Sequence, residues 1–219
     1  MTVSTAPVPV FVALPDCDQP RLWIPGSSVA GVLIVPGIGE PRAGINYLWA
    51  ELAAALHAVG VGSVRMELDG CGEVAGVRSP ARWVRQVGSA VGFLRERTDR
   101  VVVVARGAGT LVVGTGPDHL LAVRPTPMAT LSRLRERPSA GPVPAAADAA
   151  GPRDEDLEDL GYESRCPPAG QLTGSELAEL YDVGREARAP DETWFADAPT
   201  HLTTEQRRQL IARVLSIVD

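Results

Sequence analysis

Four consecutive valines at positions 101–104 constrain the fold of this chain more than any other stretch. A run of β-branched residues is typical of a strand that is buried on both faces of a parallel sheet. Small residues follow at once, because Gly107-Ala108-Gly109 leads into a short apolar run that Gly114, Gly116 and Pro117 end. The stretch therefore predicts a buried strand, a sharp turn and a short helix.

Other apolar runs predict strands that alternate with helices. Predicted strands cover residues 8–14, 21–24, 32–35, 61–68 and 120–123, and predicted helices cover residues 48–59, 80–97 and 131–137. Short connections between alternating strands and helices imply right-handed crossovers. We therefore expect an α/β fold with a mainly parallel, doubly wound sheet and helices on both faces, opened by a hairpin of the first two strands.

Three helix starts are marked by capping residues. Ser79 precedes Pro80, which suits the first turn of a helix. Ser175 can cap a helix that has Leu177, Leu180 and Tyr181 on one side. Thr203 and Gln206 form a possible capping box for the last helix, whose apolar stripe runs from Leu210 to Val218.

The length suits one domain, since 219 residues with 45% hydrophobic content can bury a sizeable core. We expect residues 1–125 to form the core, residues 126–195 a linker and lid-like variable segment, and residues 196–219 a C-terminal helix that packs back on the core. Residues 138–152 are rich in Ala, Pro and Gly, which is typical of a linker.

Net charge and the lengths of the apolar runs exclude several classes of protein. The net charge is -6, so there is no basic field for nucleic acid or an anionic membrane surface. The start of the chain lacks the pattern of a signal peptide, and no apolar run approaches the ~18 residues of a membrane span. A cytoplasmic protein with no membrane partner is expected.

Neither a metal nor a cofactor is expected. The three cysteines, Cys17, Cys71 and Cys166, lie far apart, and the three histidines, His57, His119 and His201, also lack the spacing of metal ligands. The Gly-x-Gly at residues 107–109 also suits dinucleotide binding, but the third glycine of that motif is Val112 here. Anion binding at this turn, without a cofactor, stays open.

Three motifs together resemble the α/β-hydrolase superfamily. Residues 105–109 read Ala-Arg-Gly-Ala-Gly, which is similar to the nucleophile motif G-x-S-x-G. Residues 36–39, Pro-Gly-Ile-Gly, follow a strand as the family's His-Gly does, and residues 69–73, Asp-Gly-Cys-Gly-Glu, resemble its D-x-x-G-x-G-x-S turn. The resemblance covers about the first 125 residues and the terminal helix. Within the superfamily, the chain is similar to the small hydrolases found with exosortase systems.

The resemblance implies roles for particular residues. Gly107 stands at the nucleophile position, and the backbone amides of Ile38 and Ala108 would form the oxyanion hole. His201 lies just before the last helix, where the family has its catalytic histidine. Asp182 and Asp191 are both candidates for the acid.

A covalent acyl intermediate needs an oxygen or sulfur atom, and Gly107 offers none. The favoured hypothesis is a non-hydrolytic pseudoenzyme that binds a small acyl or carbonyl ligand, or a partner protein. A second hypothesis is an enzyme that uses His201 as a general base for proton transfer, elimination or isomerisation. A third is an esterase or thioesterase with a displaced nucleophile.

Thr110 and Cys71 are the nearby residues that could replace the missing nucleophile. A structural role is more typical of Thr110, and the position of Cys71 is typical of a small residue in a tight turn. Arg106 beside the turn is a candidate ligand for a carboxylate or phosphate. The alternative role for Arg106 is an ion pair with Glu40 or Glu67.

Overall fold

The computed structural model describes residues 8–71, 74–135, 172–197 and 201–219. The linker at residues 138–152 and Cys166 lie outside these ranges, as do Gly72 and Glu73 of the turn motif. The strands are β1 (Val10–Val12), β2 (Arg21–Ile24), β3 (Ala30–Val35), β4 (Gly62–Arg65), β5 (Arg100–Gly107), β6 (His119–Pro125) and β7 (Glu192–Trp194). The α-helices are α1 (Leu48–Ala58), α2 (Pro80–Arg95), α3 (Met128–Arg135), α4 (Gly174–Glu186) and α5 (Thr204–Val218).

The strands form one sheet in the order β1-β2-β4-β3-β5-β6-β7. β1 and β2 form the expected antiparallel hairpin, and β2 pairs with β4 in antiparallel register. From β4 to β7 every neighbouring pair is parallel. The predicted α/β fold with a mainly parallel sheet is confirmed. All parallel strands therefore end at one edge, here called the carboxyl edge, and begin at the opposite amino edge.

Helices cover both faces of the sheet, as predicted. Trp83 of α2 and Leu180 of α4 pack with Val103 of β5 in one apolar cluster. On the other face, Trp49 of α1 and Leu210 of α5 belong to a second cluster. The valines of β5 divide between the two clusters in alternation, since Val101 and Val103 lie in the first and Val102 and Val104 in the second. β5 is thus the centre of both cores.

One strand was not predicted. β7 pairs with β6 through Leu121↔Glu192, Ala122↔Thr193 and Val123↔Trp194 and so completes the sheet. Together with α3 and α4 it comes from residues 126–195, the stretch expected to be a linker and lid-like segment. Two of these elements, α3 and α4, supply Leu131, Leu134 and Leu180 to the first cluster.

The helix starts agree with the sequence at two of three positions. The Ser79 side chain accepts from the Arg82 amide ahead of Pro80, and Thr203 forms a capping box with Gln206. The third cap is Thr173 rather than Ser175, because Thr173 and Glu176 satisfy the reciprocal spacing of a capping box. Within the described ranges, no helix is long and apolar enough to cross a bilayer.

Candidate functional site

The backbone turns sharply at Gly107, the last residue of β5. Its φ of 51° and ψ of -133° lie in a region that residues with a side chain rarely adopt. The following residues, Ala108–Val112, form a single tight 3-10 turn instead of a full helix. This is the strained strand-to-helix turn expected of a nucleophile elbow, with no side chain at its tip.

Close backbone contact joins this turn to the loop after β3. A Cβ atom on Gly109 would stand 2.3 Å from the Pro36 carbonyl oxygen, so a residue with a side chain does not fit there. The parallel register pairs Val35 with Ala105. Ile38 of the loop and Ala108 of the turn are both fully buried and belong to the first cluster.

The amides of Ile38 and Ala108 lie outside the hydrogen-bonded ladders. Among the residues that the structure describes, neither amide donates to a loop carbonyl or to a side chain. Buried backbone donors are rarely left without an acceptor. The two amides remain the predicted donors of an oxyanion hole.

The Thr110 hydroxyl has a structural partner. Its Oγ1 donates to the carbonyl oxygen of Gly107 over 2.7 Å, and the side chain is buried. This hydrogen bond closes the turn on itself. The structural role predicted for Thr110 agrees with this geometry.

Arg106 forms a buried ion pair beside the elbow. Its Nη1 lies 2.8 Å from Glu40 Oε1, and the two side chains are 2% and 0% exposed. Glu40 also accepts hydrogen bonds from the amides of Gly37 and Ile45. The pair thus fixes the β3–α1 loop against β5, and Arg106 is committed to Glu40 instead of an external anion.

Cys71 is buried beside the same loop. Burial raises the pKa of its thiol from 9.0 to about 12, although a hydrogen bond from the Gly39 backbone opposes this shift. The thiolate is the nucleophilic form of cysteine, and it is scarcely populated at neutral pH. Cys71 therefore fills space in the turn after β4.

Asp69, the first residue of that turn, has a role that the sequence did not reveal. Its carboxylate pairs with the buried Arg21 over 2.6 Å and accepts from the Asp18 amide, while its carbonyl accepts from Trp83 Nε1. These bonds join the β1–β2 hairpin to α2. Asp-Gly at the end of a strand suggested the turn, but only the tertiary structure shows its partners.

His201 lies between β7 and α5, at the carboxyl edge where Gly107 also lies. Its side chain is exposed, and residues 198–200 before it are outside the described ranges. The position in the fold agrees with the expectation for a histidine before the last helix.

The two acid candidates lie on different elements. Asp191 precedes β7 at the amino edge, where its carboxylate accepts from the Leu120 amide and pairs with Arg188, both over 2.7 Å. Leu120 is paired with Val103 of β5, which is four residues before Gly107, so about 13 Å along the strand direction separates Asp191 from the turn. Asp182 is exposed on α4, whose buried residues Leu177 and Leu180 face the core. Asp191 does not reach the turn because it lies where β7 begins, whereas Gly107 lies where β5 ends.

The described residues contain no group of three His, Cys, Asp or Glu side chains arranged to hold a metal ion. A cavity of about 450 Å³ opens at the amino edge, between Val59 after α1 and Leu215 of α5. It lies at the opposite end of the sheet from Gly107.

Comparisons with known proteins rest on structure alone. No family profile matches the sequence, and no curated protein matches it significantly. A presumed hydrolase from Agrobacterium vitis S4 superposes with a TM-score of 0.64 at 12% identity, covering 98% of this chain and 100% of that one. The mouse α/β-hydrolase domain-containing protein 10 gives 0.62 at 11% identity, covering 97% and 98%. An esterase from Pyrococcus furiosus gives 0.56 at 15% identity, covering 97% and 90%. From the sheet order, the elbow and these superpositions, we conclude that the chain has the α/β-hydrolase fold.

Proposed function

We propose that this chain is a non-hydrolytic α/β-hydrolase-fold protein that binds a small acyl or carbonyl ligand at the elbow. The observation that carries the proposal is Gly107, which adopts the elbow conformation with φ 51° and ψ -133° but offers no atom for an acyl group. The backbone conformation of the turn is present, but the residue at its tip has no nucleophilic atom for acyl transfer.

The Ile38 and Ala108 amides support the ligand class. They come from two loops that meet at the carboxyl edge, where α/β folds bind their ligands. Two backbone donors from neighbouring loops in a buried setting match a carbonyl oxygen, which can accept two hydrogen bonds. The ion pair of Glu40 with Arg106 supports the same role, since it holds the Ile38 loop in place.

The alternatives have less support. A displaced nucleophile needs an activated side chain, but the Thr110 hydroxyl donates to Gly107 and burial raises the pKa of Cys71 to about 12. A mechanism based on His201 would use a side chain that is exposed as the general base. Binding without turnover is the function that these contacts favour.

A fluorophosphonate probe and a chromogenic butyrate ester test the absence of hydrolysis. We expect no stoichiometric labelling and no ester cleavage above the buffer rate. Stoichiometric labelling of the wild-type chain would overturn the proposal, and the variants Thr110→Val and Cys71→Ala would then locate the nucleophile.

Amide NMR with 2-pentanone tests the ligand class, and 2-pentanol is the matched control because it has an alcohol in place of the carbonyl. We expect the ketone to shift the Ile38 and Ala108 amide protons in a saturable way and the alcohol to leave them unchanged. His201→Ala should bind the ketone as the wild type does. Equal shifts with both compounds, or none with either, would refute carbonyl binding at these amides.

A further inference from the structure

A row of paired residues crosses the sheet two strands away from the elbow. Phe11 of β1 lies opposite Leu22 of β2, Leu22 lies opposite Arg65 of β4, and Arg65 lies opposite Ile34 of β3. Directly paired residues share one face of a sheet. Ile34 belongs to the cluster under α1 and α5, so Arg65 points to that side.

Arg65 has no anionic partner within the described residues. The side chain is half-buried, and its Nε is buried without a hydrogen-bond partner. Buried guanidinium groups elsewhere in the described chain are paired, as Arg21 is with Asp69 and Arg106 with Glu40. Burial of a cation without a counter-charge is unfavourable. This position is therefore suited to an anion that the chain itself does not supply.

Arg42 adds a second cation beside Arg65. Its guanidinium carbon lies 5.8 Å from the centre of the Phe11 ring, and its Nε lies 3.3 Å from Glu67 Oε2. Burial lowers the pKa of Arg65, and the charge of Arg42 lowers it further. Arg42 is paired with Glu67, whereas Arg65 has no carboxylate partner among the described residues, so the positive charge of Arg65 is the one available to a ligand.

We propose that Arg65 and Arg42, with the Phe11 ring beside them, bind the carboxylate of a small organic acid. The planar fork of a guanidinium group matches a carboxylate, and one surplus positive charge matches its single negative charge. Phe11 is 65% exposed, and its ring offers an apolar surface for the organic part of the ligand. This carboxylate site is independent of the carbonyl ligand proposed for the elbow.

Titration with benzoate, followed by ¹⁵N NMR of the arginine Nε groups, tests the site on the full chain. We expect the Arg65 Nε signal to shift and saturate, while benzamide, which has the same shape without the charge, causes no shift. No saturable shift with benzoate, or an equal shift with benzamide, would overturn the proposal. Inorganic phosphate forms a second arm, and saturation by phosphate without saturation by benzoate would overturn the carboxylate assignment.

Two variants separate the site from general charge effects. Arg65→Gln should weaken benzoate binding by about tenfold or more, as expected for the loss of a charge-assisted hydrogen bond. Arg208→Gln removes the same charge from an exposed position on α5 and should bind benzoate as the wild type does. Equal affinities of Arg65→Gln and the wild type would place the binding elsewhere. If Arg65→Gln does not fold, the Nε titration of the wild-type chain still decides the proposal.

Discussion

At the residue scale, the backbone of Gly107 can be tested by adding a single methyl group. Gly107→Ala forces a side chain into a φ of 51° and ψ of -133°, so we expect it to lower the free energy of unfolding by about 1–3 kcal/mol. Urea denaturation measures the change.

Gly88→Ala is the matched control for this substitution. Gly88 lies inside α2, and an added Cβ there meets no atom within 4 Å. Alanine in the interior of an exposed helix face should raise stability by about 0.5–1 kcal/mol. Equal effects of the two variants would show that the turn at Gly107 is not strained for other residues.

Thiol reactivity at the two described cysteines should depend on both pH and burial. Burial raises the pKa of Cys17 to about 11 and that of Cys71 to about 12, both from 9.0. In a Cys166→Ala background we expect negligible alkylation by iodoacetamide at pH 7, with the rate at the half-buried Cys17 rising first as the pH passes 9.

The same pKa shifts predict a loss of stability at high pH. A thiol whose pKa is raised by folding stabilises the native state below pH 9, and this contribution disappears as the pH rises towards 11–12. Cys71→Ala should weaken that dependence. Fast alkylation of Cys71 at pH 7 would contradict its assignment as a space-filling residue.

At the scale of elements, the pair of Arg106 with Glu40 connects β5 to the β3–α1 loop. Arg106→Met leaves the Glu40 carboxylate buried without its cation, so we expect a loss of about 3–5 kcal/mol in unfolding free energy. Arg95→Met is the control, because Arg95 and Asp118 form an exposed pair worth about 0–1 kcal/mol. In the Glu40→Gln, Arg106→Met double variant the loss should be smaller than the sum of the single losses. Additive losses would show that the two side chains do not interact.

Elements with strong periodicity were predictable from the sequence, and elements that depend on distant partners were not. The valines of β5 and the apolar stripes of α1 and α2 identify those elements without further information. β7 is three residues long and mixes Glu, Thr and Trp, so its identity rests on pairing with β6.

In the candidate site, too, some features were predictable from the sequence and others depend on distant partners. The glycine turn at residues 107–109 was predictable, since only small residues fit between β5 and Pro36. Whether Arg106 pairs with Glu40 or Glu67 was open, because both carboxylates follow strands that end at the same edge. Asp191 was expected near the elbow because of its place in the chain, yet the direction of β7 puts it at the amino edge.

At the scale of the whole molecule, both apolar clusters share one sheet, so the chain should unfold in a single transition. Trp83 lies in the first cluster and Trp49 in the second, and both are fully buried. Fluorescence of the variants Trp83→Phe and Trp49→Phe, each compared with circular dichroism, should give coincident urea midpoints. Separate midpoints would show that the two faces of the sheet unfold as independent units.

The place of α5 in the chain has a consequence for synthesis. α5 covers the sheet with Leu210, Val214 and Val218, but it follows β6 by about 80 residues. At about 5–20 residues per second, a ribosome needs about 4–16 s to make that stretch. During this interval the side of β5 and β6 that carries Val102 and Leu121 is without its helix, so the nascent chain presents an apolar surface to chaperones before the domain can close.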